Sequence, residues 1–513
     1  MVELYDTTLR DGAQTEGISF SVNDKLRIVE KLDEIGIHYI EGGWPGTNPK
    51  DITFFKKLKK IKLKNSKIAA FGSTRYPNTN VSKDKIMKGL LESGAEVVTL
   101  FGKSWGLHVT EVLKTTPEEN LKMVEDSIRF LKSKGKFVIF DAEHFFDGYE
   151  QDPEYAISVL LSAARVGAER LVLCDTNGGT LTSRIFEITK EVKTKLTSPL
   201  GIHAHNDSEM AVANSIAAIQ AGAIHVQGTI NGYGERCGNA NLVSIIANLK
   251  LKMGIDCVSD LALKELTEVS RYVAEISNMK QDDNEPFVGS SAFAHKAGVH
   301  VNAILKNPKS YEHVDPEKVG NRRRLLISEL SGKSSVVKKA QEIELGLDKA
   351  KPHTQKILKA LQNLEHKGYQ FEAAEASLQL LMKRAMKKFK VFFQLKDFRV
   401  IIEKKEKGKI SSEAIIKLKV GNKIEHAASL GDGPINALDN ALRKALKDFY
   451  PALSEMRLSD FKVRVLDEKA GTAAKVRVLI QSQDETDSWW TIGVSENIIE
   501  ASWIALVDSV EYK

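Results

Sequence analysis

MVELYDTTLRDGAQTEGISFSVNDKLRIVEKLDEIG, residues 1–36, holds one complete strand–loop–helix unit. Residues 2–5 are a short β-prone run, and the polar stretch TTLRDGAQ follows it. From Asn23 onward, Leu26, Ile28, Val29, Leu32 and Ile35 fall on one helical face, and Gly36 supplies the stop. Working outward, apolar or β-branched runs recur at 38–40, 68–71, 97–101, 137–140, 171–173, 201–204 and 225–230, each followed by a helical pattern. In the fourth unit, Thr116-Pro117-Glu118-Glu119 predicts a capping box with Pro at the first helical position. Eight such units in ~250 residues predict an α/β fold, a (β/α)8 TIM barrel. A doubly wound open sheet is the alternative. No G-x-G-x-x-G follows the first strand, so dinucleotide binding lacks support.

Beyond the barrel the rhythm changes. The barrel is assigned to residues 1–285, a mostly helical, lysine-rich linker region to 286–390, and a C-terminal α+β domain to 391–513. In the last part, Asn436–Leu442 (NALDNAL) echoes Glu500–Leu506 (EASWIAL), which predicts a duplicated module with two helices packed closely on a sheet.

Composition sets outer bounds. The chain has 513 residues, 42% hydrophobic and 28% charged, enough for a large core without disulfides. Three cysteines, Cys174, Cys237 and Cys257, form no C-x-x-C pair, which fits a reducing cytoplasm. A signal peptide and an apolar run of ~18 residues are both lacking, so no membrane association is expected. The 74 basic residues are nearly matched by 68 acidic ones, which argues against nucleic-acid binding and for solvated helix faces.

Chemistry concentrates where barrel strands end, because the C-terminal rim of such a barrel carries the active site. His203 and His205 alternate on the seventh strand, so their imidazoles point the same way. Asp11 and Asn239, from the first and eighth strand ends, add oxygen donors. This mixed N/O set with open positions suits Mn²⁺, Mg²⁺ or Zn²⁺ and a bidentate substrate. Arg10, beside Asp11, is placed to stabilise an alkoxide and bind a carboxylate; a surface ion pair is the plainer role. Thr176 is a partner for the same carboxylate or a cap for the next helix. Glu143 is either part of an acid–base network or a surface carboxylate. Gly232, Gly234 and Gly238 permit tight turns near a ligand.

Together these residues resemble the α-isopropylmalate, homocitrate and citramalate synthases within the DRE-TIM metallolyases. The carriers are YDTTLRDGAQ (5–14), HAHND (203–207) and GYGERCGNAN (232–241). EGGWPGTNPKD (41–51), HKAGVH (295–300) and VGNRRRLLISELSGK (319–333) are similar to the citramalate branch. GDGPINALDNAL (431–442) resembles a helix start in the family's C-terminal regulatory domain. The resemblance spans nearly the whole chain. It implies metal ligation by Asp11, His203, His205 and Asn239, keto-oxygen polarisation by Arg10, and carboxylate binding by Thr176. It places Glu143, His300 and Tyr311 in the acid–base and acyl-CoA region. Related lyases carry a catalytic cysteine in the strand-eight loop. Here GERCGN fits the synthase pattern, and a buried small thiol is expected at Cys237.

The resemblance further implies a Claisen-type acyltransferase with acetyl-CoA as co-substrate and pyruvate as acceptor. A homodimer with shared active sites and feedback by isoleucine, with leucine second, also follow from it. The competing readings are a 2-oxoisovalerate or 2-oxoglutarate acceptor, a lyase on the same barrel, and a non-catalytic amino-acid sensor. The full metal set argues against the sensor, and the long C-terminal domain argues against a simple lyase.

Overall fold

Eight parallel strands close into a barrel in a computed structural model of the protein, in the sequential order β1 (Glu3–Asp6), β2 (Tyr39–Gly43), β3 (Lys67–Ser73), β4 (Val97–Lys103), β5 (Phe137–Glu143), β6 (Arg170–Asp175), β7 (Leu200–Ala204) and β8 (His225–Gly228). The structure describes residues 2–45, 48–326, 337, 352–404, 408–466 and 474–513. Gly46 and Thr47 of the 41–51 motif, and residues 327–333 of the 319–333 motif, lie outside the described residues. Two compact units form: residues 1–293 with 314–323, and residues 294–313 with 324–513.

Within the first unit, strand alternation sorts side chains to two sides. Leu4, Ile40, Ala70, Val98, Val138, Leu171, Ile202 and Val226 join the large core between strands and helices. Tyr5, Tyr39, Ala69, Val97, Ile139, Val172 and Cys174 form a separate cluster that fills the lumen. The same alternation turns Glu41, Thr99, Asp141, His203 and Gln227 inward. The strands run past the apolar stretches that predict them: β5 reaches Glu143 and β6 reaches Asp175, because polar residues face the mouth while the backbone ladder continues.

Two helix starts show how the local sequence sets them. Ser21 and Asp24 form a reciprocal capping box for Val22–Glu34. Thr116 caps Pro117–Ser133 by accepting from the Glu119 amide. Glu119 does not return the bond expected of it in a capping box. Its carboxylate accepts from Arg75 at 2.8 Å and from the Asn78 amide at 2.9 Å, a charge-assisted alternative.

In the second unit, two three-stranded antiparallel sheets are each followed by a helix. The first is β11 (Gln394–Glu403), β12 (Ser411–Val420) and β13 (Lys423–Gly431), followed by Pro434–Leu446. The second is β14 (Arg457–Val465), β15 (Val476–Gln483) and β16 (Ser488–Ser495), followed by Ile498–Tyr512. Their first strands carry matching register breaks, at Leu395/Asp397 and Leu458/Asp460. Ala437, Ala441 and Leu442 in one helix, and Ala501, Ala505 and Leu506 in the other, are buried against the sheets. Between the barrel motifs and these sheets, short helices such as Gly298–Lys306 and Pro352–His366 accompany a two-residue parallel pair, β9 (Ala294–His295) with β10 (Arg324–Leu325).

At the barrel floor, Arg170 donates to both oxygens of Glu3, at 2.7 and 2.6 Å. Burial would raise Glu3, but the bonds from Arg170 and His225 outweigh it and bring the carboxyl down to about 2 from 4.5. A depressed carboxyl stabilises the fold above its unfolded value and loses that contribution as pH falls through the folded one. Glu3→Gln should therefore cost about 1–2 kcal/mol at pH 7, the pair being partly solvent-screened. The gap in thermal midpoint between parent and variant should narrow steadily as pH falls from 4.5 toward 2. A gap independent of pH would show that the pair contributes no charge-dependent stability.

Candidate active site and metal centre

Leaving β1, the chain turns sharply at the rim. Asp6 accepts from the Thr8 amide at 2.9 Å and from its hydroxyl at 2.7 Å, and the Thr7 amide donates to the Gly228 carbonyl at 2.8 Å. The turn delivers Arg10 and Asp11 to the barrel mouth. Asp11 Oδ2 lies 3.4 Å from His203 Nε2 and 4.0 Å from His205 Nε2, and the two Nε2 atoms are 3.2 Å apart. All three side chains are buried.

Asn239 enters through an isolated antiparallel bridge with His205. Its amide nitrogen donates to the Tyr233 carbonyl at 3.2 Å, while its buried Oδ1 has no hydrogen-bond partner. Gly234 makes that approach possible: a Cβ there would stand 2.2 Å from Asn239 Nδ2. Gly238, at φ +91°, turns the chain back into the site; a Cβ there would stand 2.1 Å from the Gly232 carbonyl oxygen.

The electrostatics favour a cation. Burial alone would raise Asp11, but Arg10, His203 and His205 hold it well below the usual carboxylate range. Burial, reinforced by His203 and Arg236, pushes His205 down to about 3, so its imidazole is neutral at pH 7. A carboxylate and two imidazoles converging on one point, beside an unpartnered amide oxygen, fit a hard or borderline divalent ion.

Arg10 is held from several sides. Its Nε donates to Glu41, its Nη1 is 3.5 Å from Asp11, and its guanidinium carbon lies 3.8 Å from the Phe71 ring centre. Glu41 is fully buried and also accepts at 2.7 Å from Tyr5, whose hydroxyl is 2.7 Å from Thr99. Thr176 caps no helix, since the next one, Thr182–Lys195, starts at Leu181. Its Oγ1 accepts from the His144 amide at 2.9 Å, which leaves its own hydrogen to donate. Glu143 ends β5 and pairs with Lys103 on β4. His300 and Tyr311 belong to the second unit, where their ring centres are 4.2 Å apart and both side chains are exposed.

A cavity of about 220 Å³ opens over this cluster. Trp44 stands edge-on to Phe71 and Phe101 at 5.7 and 5.6 Å, and together they form its apolar wall. Cys237 is exposed, contrary to the buried thiol expected of it. It lies at the tip of a turn whose neighbours Arg236 and Gly238 both take positive φ, which aims it outward. Glu41, Asp141, Gln227, Lys103 and Trp44 were given no role of their own in the sequence reading, although Glu41 and Trp44 fall within the EGGWPGTNPKD motif. The signal was present for three of them: Glu41, Asp141 and Gln227 occupy inward positions of otherwise apolar strands.

The HMGL-like family model matches residues 1–273. A homocitrate synthase post-HMGL domain-like model matches 287–368, and the LeuA allosteric (dimerisation) domain matches 372–513. The chain is 57% identical to the (R)-citramalate synthase of Aquifex aeolicus, covering 100% of this chain and 97% of that protein. It is 56% identical to the (R)-citramalate synthase of Geobacter sulfurreducens over the same shares. Identity to the 2-isopropylmalate synthase of Methanocaldococcus jannaschii is 29%, covering 99% and 94%.

If Asn239 Oδ1 is a ligand, crowding it should weaken the site without touching any donor. Gly234→Ala should lower Mn²⁺ affinity by about 10-fold in calorimetric titration of the chelator-treated chain. Unchanged affinity in a folded variant would remove Asn239 from the ligand set.

Proposed function

The chain belongs to the HMGL-like family and, over its whole length, to the (R)-citramalate synthases, and from that premise we propose that it joins the acetyl group of acetyl-CoA to the keto carbon of pyruvate. Water then cleaves the thioester, and (R)-citramalate and CoA leave. The observation that carries this reading is Arg10, fixed between Asp11 and Glu41 beneath a small aromatic-walled cavity. Pyruvate brings only a methyl group to that wall. 2-Oxoisovalerate, the acceptor in the competing reading, brings a branched one.

Asp11, His203, His205 and Asn239 would hold a divalent ion, Mn²⁺ or Mg²⁺ with Zn²⁺ also compatible, which would supply Lewis acidity to the acceptor's keto oxygen. Arg10 donates to that oxygen as it gains negative charge, and Glu41 keeps the guanidinium from swinging away. Thr176 offers its hydroxyl hydrogen to the acceptor's carboxylate. Glu143, held by Lys103, together with His300 and Tyr311 from the partner of a homodimer, forms the acid–base and acyl-CoA region in which the acetyl methyl loses a proton. The enzyme works in the cytoplasm, and among the described residues no helix is long and apolar enough to cross a membrane.

Citramalate leads toward isoleucine by a route that does not need threonine, so isoleucine is the proposed feedback inhibitor. A cavity of about 670 Å³ between the helix Pro434–Leu446 and β14 supports this. It presents the Asp439–Arg443 pair beside apolar Ile435, Leu458 and Phe461, a combination suited to a zwitterion with an aliphatic side chain.

CoA release with a panel of 2-oxo acids tests the acceptor: pyruvate should give the highest kcat/KM, and a higher value for 2-oxoisovalerate would replace this reading. Arg10→Ala should lower kcat by about 10²–10³, as for loss of an oxyanion donor. Mixing Arg10→Ala with His300→Ala chains under verified subunit exchange should restore about a quarter of parental activity if sites are shared across the two-fold. No recovery would confine His300 to its own barrel. In calorimetry isoleucine should bind more tightly than leucine, and binding of neither would leave the C-terminal domain a dimerisation element only.

A further inference from the structure

Gln227 does not fit a purely packing role. It sits mid-strand in β8, registered beside His203 of β7 on one side and Tyr5 of β1 on the other. Val226 next to it faces the outer core, so Gln227 points into the lumen. Its side chain is fully buried, where an amide is costly unless all its bonds are made. Both ends are used: Oε1 is 2.9 Å from His203 Nδ1, and Nε2 donates to Asp141 Oδ1 at 3.0 Å.

The two ends of an amide differ, and that difference carries information. With Asp141 ionised, its Oδ1 accepts from the nitrogen of Gln227, and the reverse orientation would set oxygen against oxygen. The amide oxygen then faces His203 Nδ1 and can only accept. His203 therefore carries a hydrogen on Nδ1, and Nε2 is the nitrogen turned toward Asp11 and His205. We propose that the chain Asp141–Gln227–His203 is a built-in relay that fixes the Nδ1–H tautomer of His203 and so presents Nε2 as a ready metal donor. Gln227 and Asp141 are positioning residues here, acting through His203. The relay spans three strands, β5, β8 and β7, across the lumen, so barrel closure itself sets the direction of the hydrogen bonds.

The inference rests on the metal reading of Asp11, His203 and His205, and the experiment separates the two. Three full-length variants are compared with the parent. Gln227→Met removes the oriented acceptor at similar volume. Asp141→Asn lets the relay reverse, because an asparagine amide can donate to Gln227 Oε1 and turn Gln227 Nε2 onto His203 Nδ1. The double variant Asp141→Asn with Gln227→Glu moves the carboxylate one step along: the asparagine donates to Glu, and Glu accepts from Nδ1–H. Mn²⁺ binding to the chelator-treated chain is read by electron paramagnetic resonance of free Mn²⁺. The tautomer is read from solid-state ¹⁵N spectra of the metal-free, histidine-labelled chain, with His203→Gln for assignment.

Both single variants should lose about 10- to 100-fold in Mn²⁺ affinity, and Asp141→Asn should move the His203 hydrogen to Nε2. The double variant should recover Nδ1–H and bind within a few-fold of the parent. A role in packing alone predicts no recovery, because the double variant is further from the native sequence than either single one. Gln227→Met with parental affinity overturns the relay, as does a folded double variant that fails to recover. If the parent itself binds no Mn²⁺, the metal reading falls and the relay's purpose falls with it, although the spectra still report the tautomer. Should Asp141→Asn not fold, Gln227→Met reads the affinity alone, and parental affinity there overturns the proposal.

Discussion

Pairing of the first strand with the eighth is the constraint on which everything at the mouth depends. Glu3, Leu4, Tyr5 and Asp6 register against His225, Val226, Gln227 and Gly228. Above that ladder the seam continues in side chains: the Ile230 amide donates to Thr8 Oγ1 at 2.9 Å and the Gly234 amide to Thr15 Oγ1 at 2.7 Å. A slip of one residue would turn Tyr5 and Gln227 outward and carry Asp11 away from His203. Asp11 and the two histidines meet from opposite ends of the barrel sequence. The seam makes that contact a consequence of backbone geometry rather than of side-chain reach.

Beneath the mouth the lumen is polar in a graded way. Near the floor it is filled by Tyr39, Ala69, Val97 and Ile139; one step up come Thr99, Asp141, Glu41 and Gln227. Glu41 is the costliest of these, a fully buried carboxylate. It is tolerable because Tyr5 and Arg10 both donate to it, and because removing one partner of such a pair leaves an uncompensated charge, typically a loss of 3–5 kcal/mol. Lysine could carry Arg10's charge but not its geometry. The planar guanidinium lies over Phe71 while bonding Glu41 and facing Asp11. Asp141 is pushed up to about 7, chiefly by burial, against the lowering influence of His203 and Arg10, so the layer sits near a balance of charges.

Much of this was legible in the sequence, and the failures share a cause. The strand runs at 97–101, 137–140 and 171–173 located β4, β5 and β6 but stopped short. Apolar periodicity reports burial against helices, and the last residues of each strand face a polar mouth instead. Glu41, Asp141 and Gln227 were given no role of their own for the same reason: each looks like an interruption of an apolar run until alternation places it in the lumen. Thr116 and Pro117 correctly marked a helix start. Glu119 was misread as the returning half of a capping box, since a sequence window cannot see Arg75 arriving from another strand end. Cys237 was read from the company it keeps in the motif, whereas two positive-φ neighbours decide its direction. His300 and Tyr311 carried no periodic signal at all; only the motif resemblance named them.

The C-terminal duplication shows how one scaffold becomes asymmetric. Superposing Ala437–Leu442 on Ala501–Leu506 sets Asp439 opposite Trp503 and Arg443 opposite Val507. Trp503, on the helix of the second copy, packs on Phe398 of β11 in the first copy at 5.4 Å and fills the space between helix and strand. The matching space, between the first copy's helix and Phe461 of β14 in the second copy, stays open, and Asp439 there turns to Arg443 at 2.9 Å. Arg443 is then fixed by the Met456 and Leu453 carbonyls at 2.6 and 3.2 Å. Burial raises Asp439 and Arg443 opposes it, so the open copy retains a desolvated charge pair where the closed copy has an indole. A cavity kept open by a buried ion pair is less stable than one filled by tryptophan, and the intact second copy shows that filling it was available to this fold.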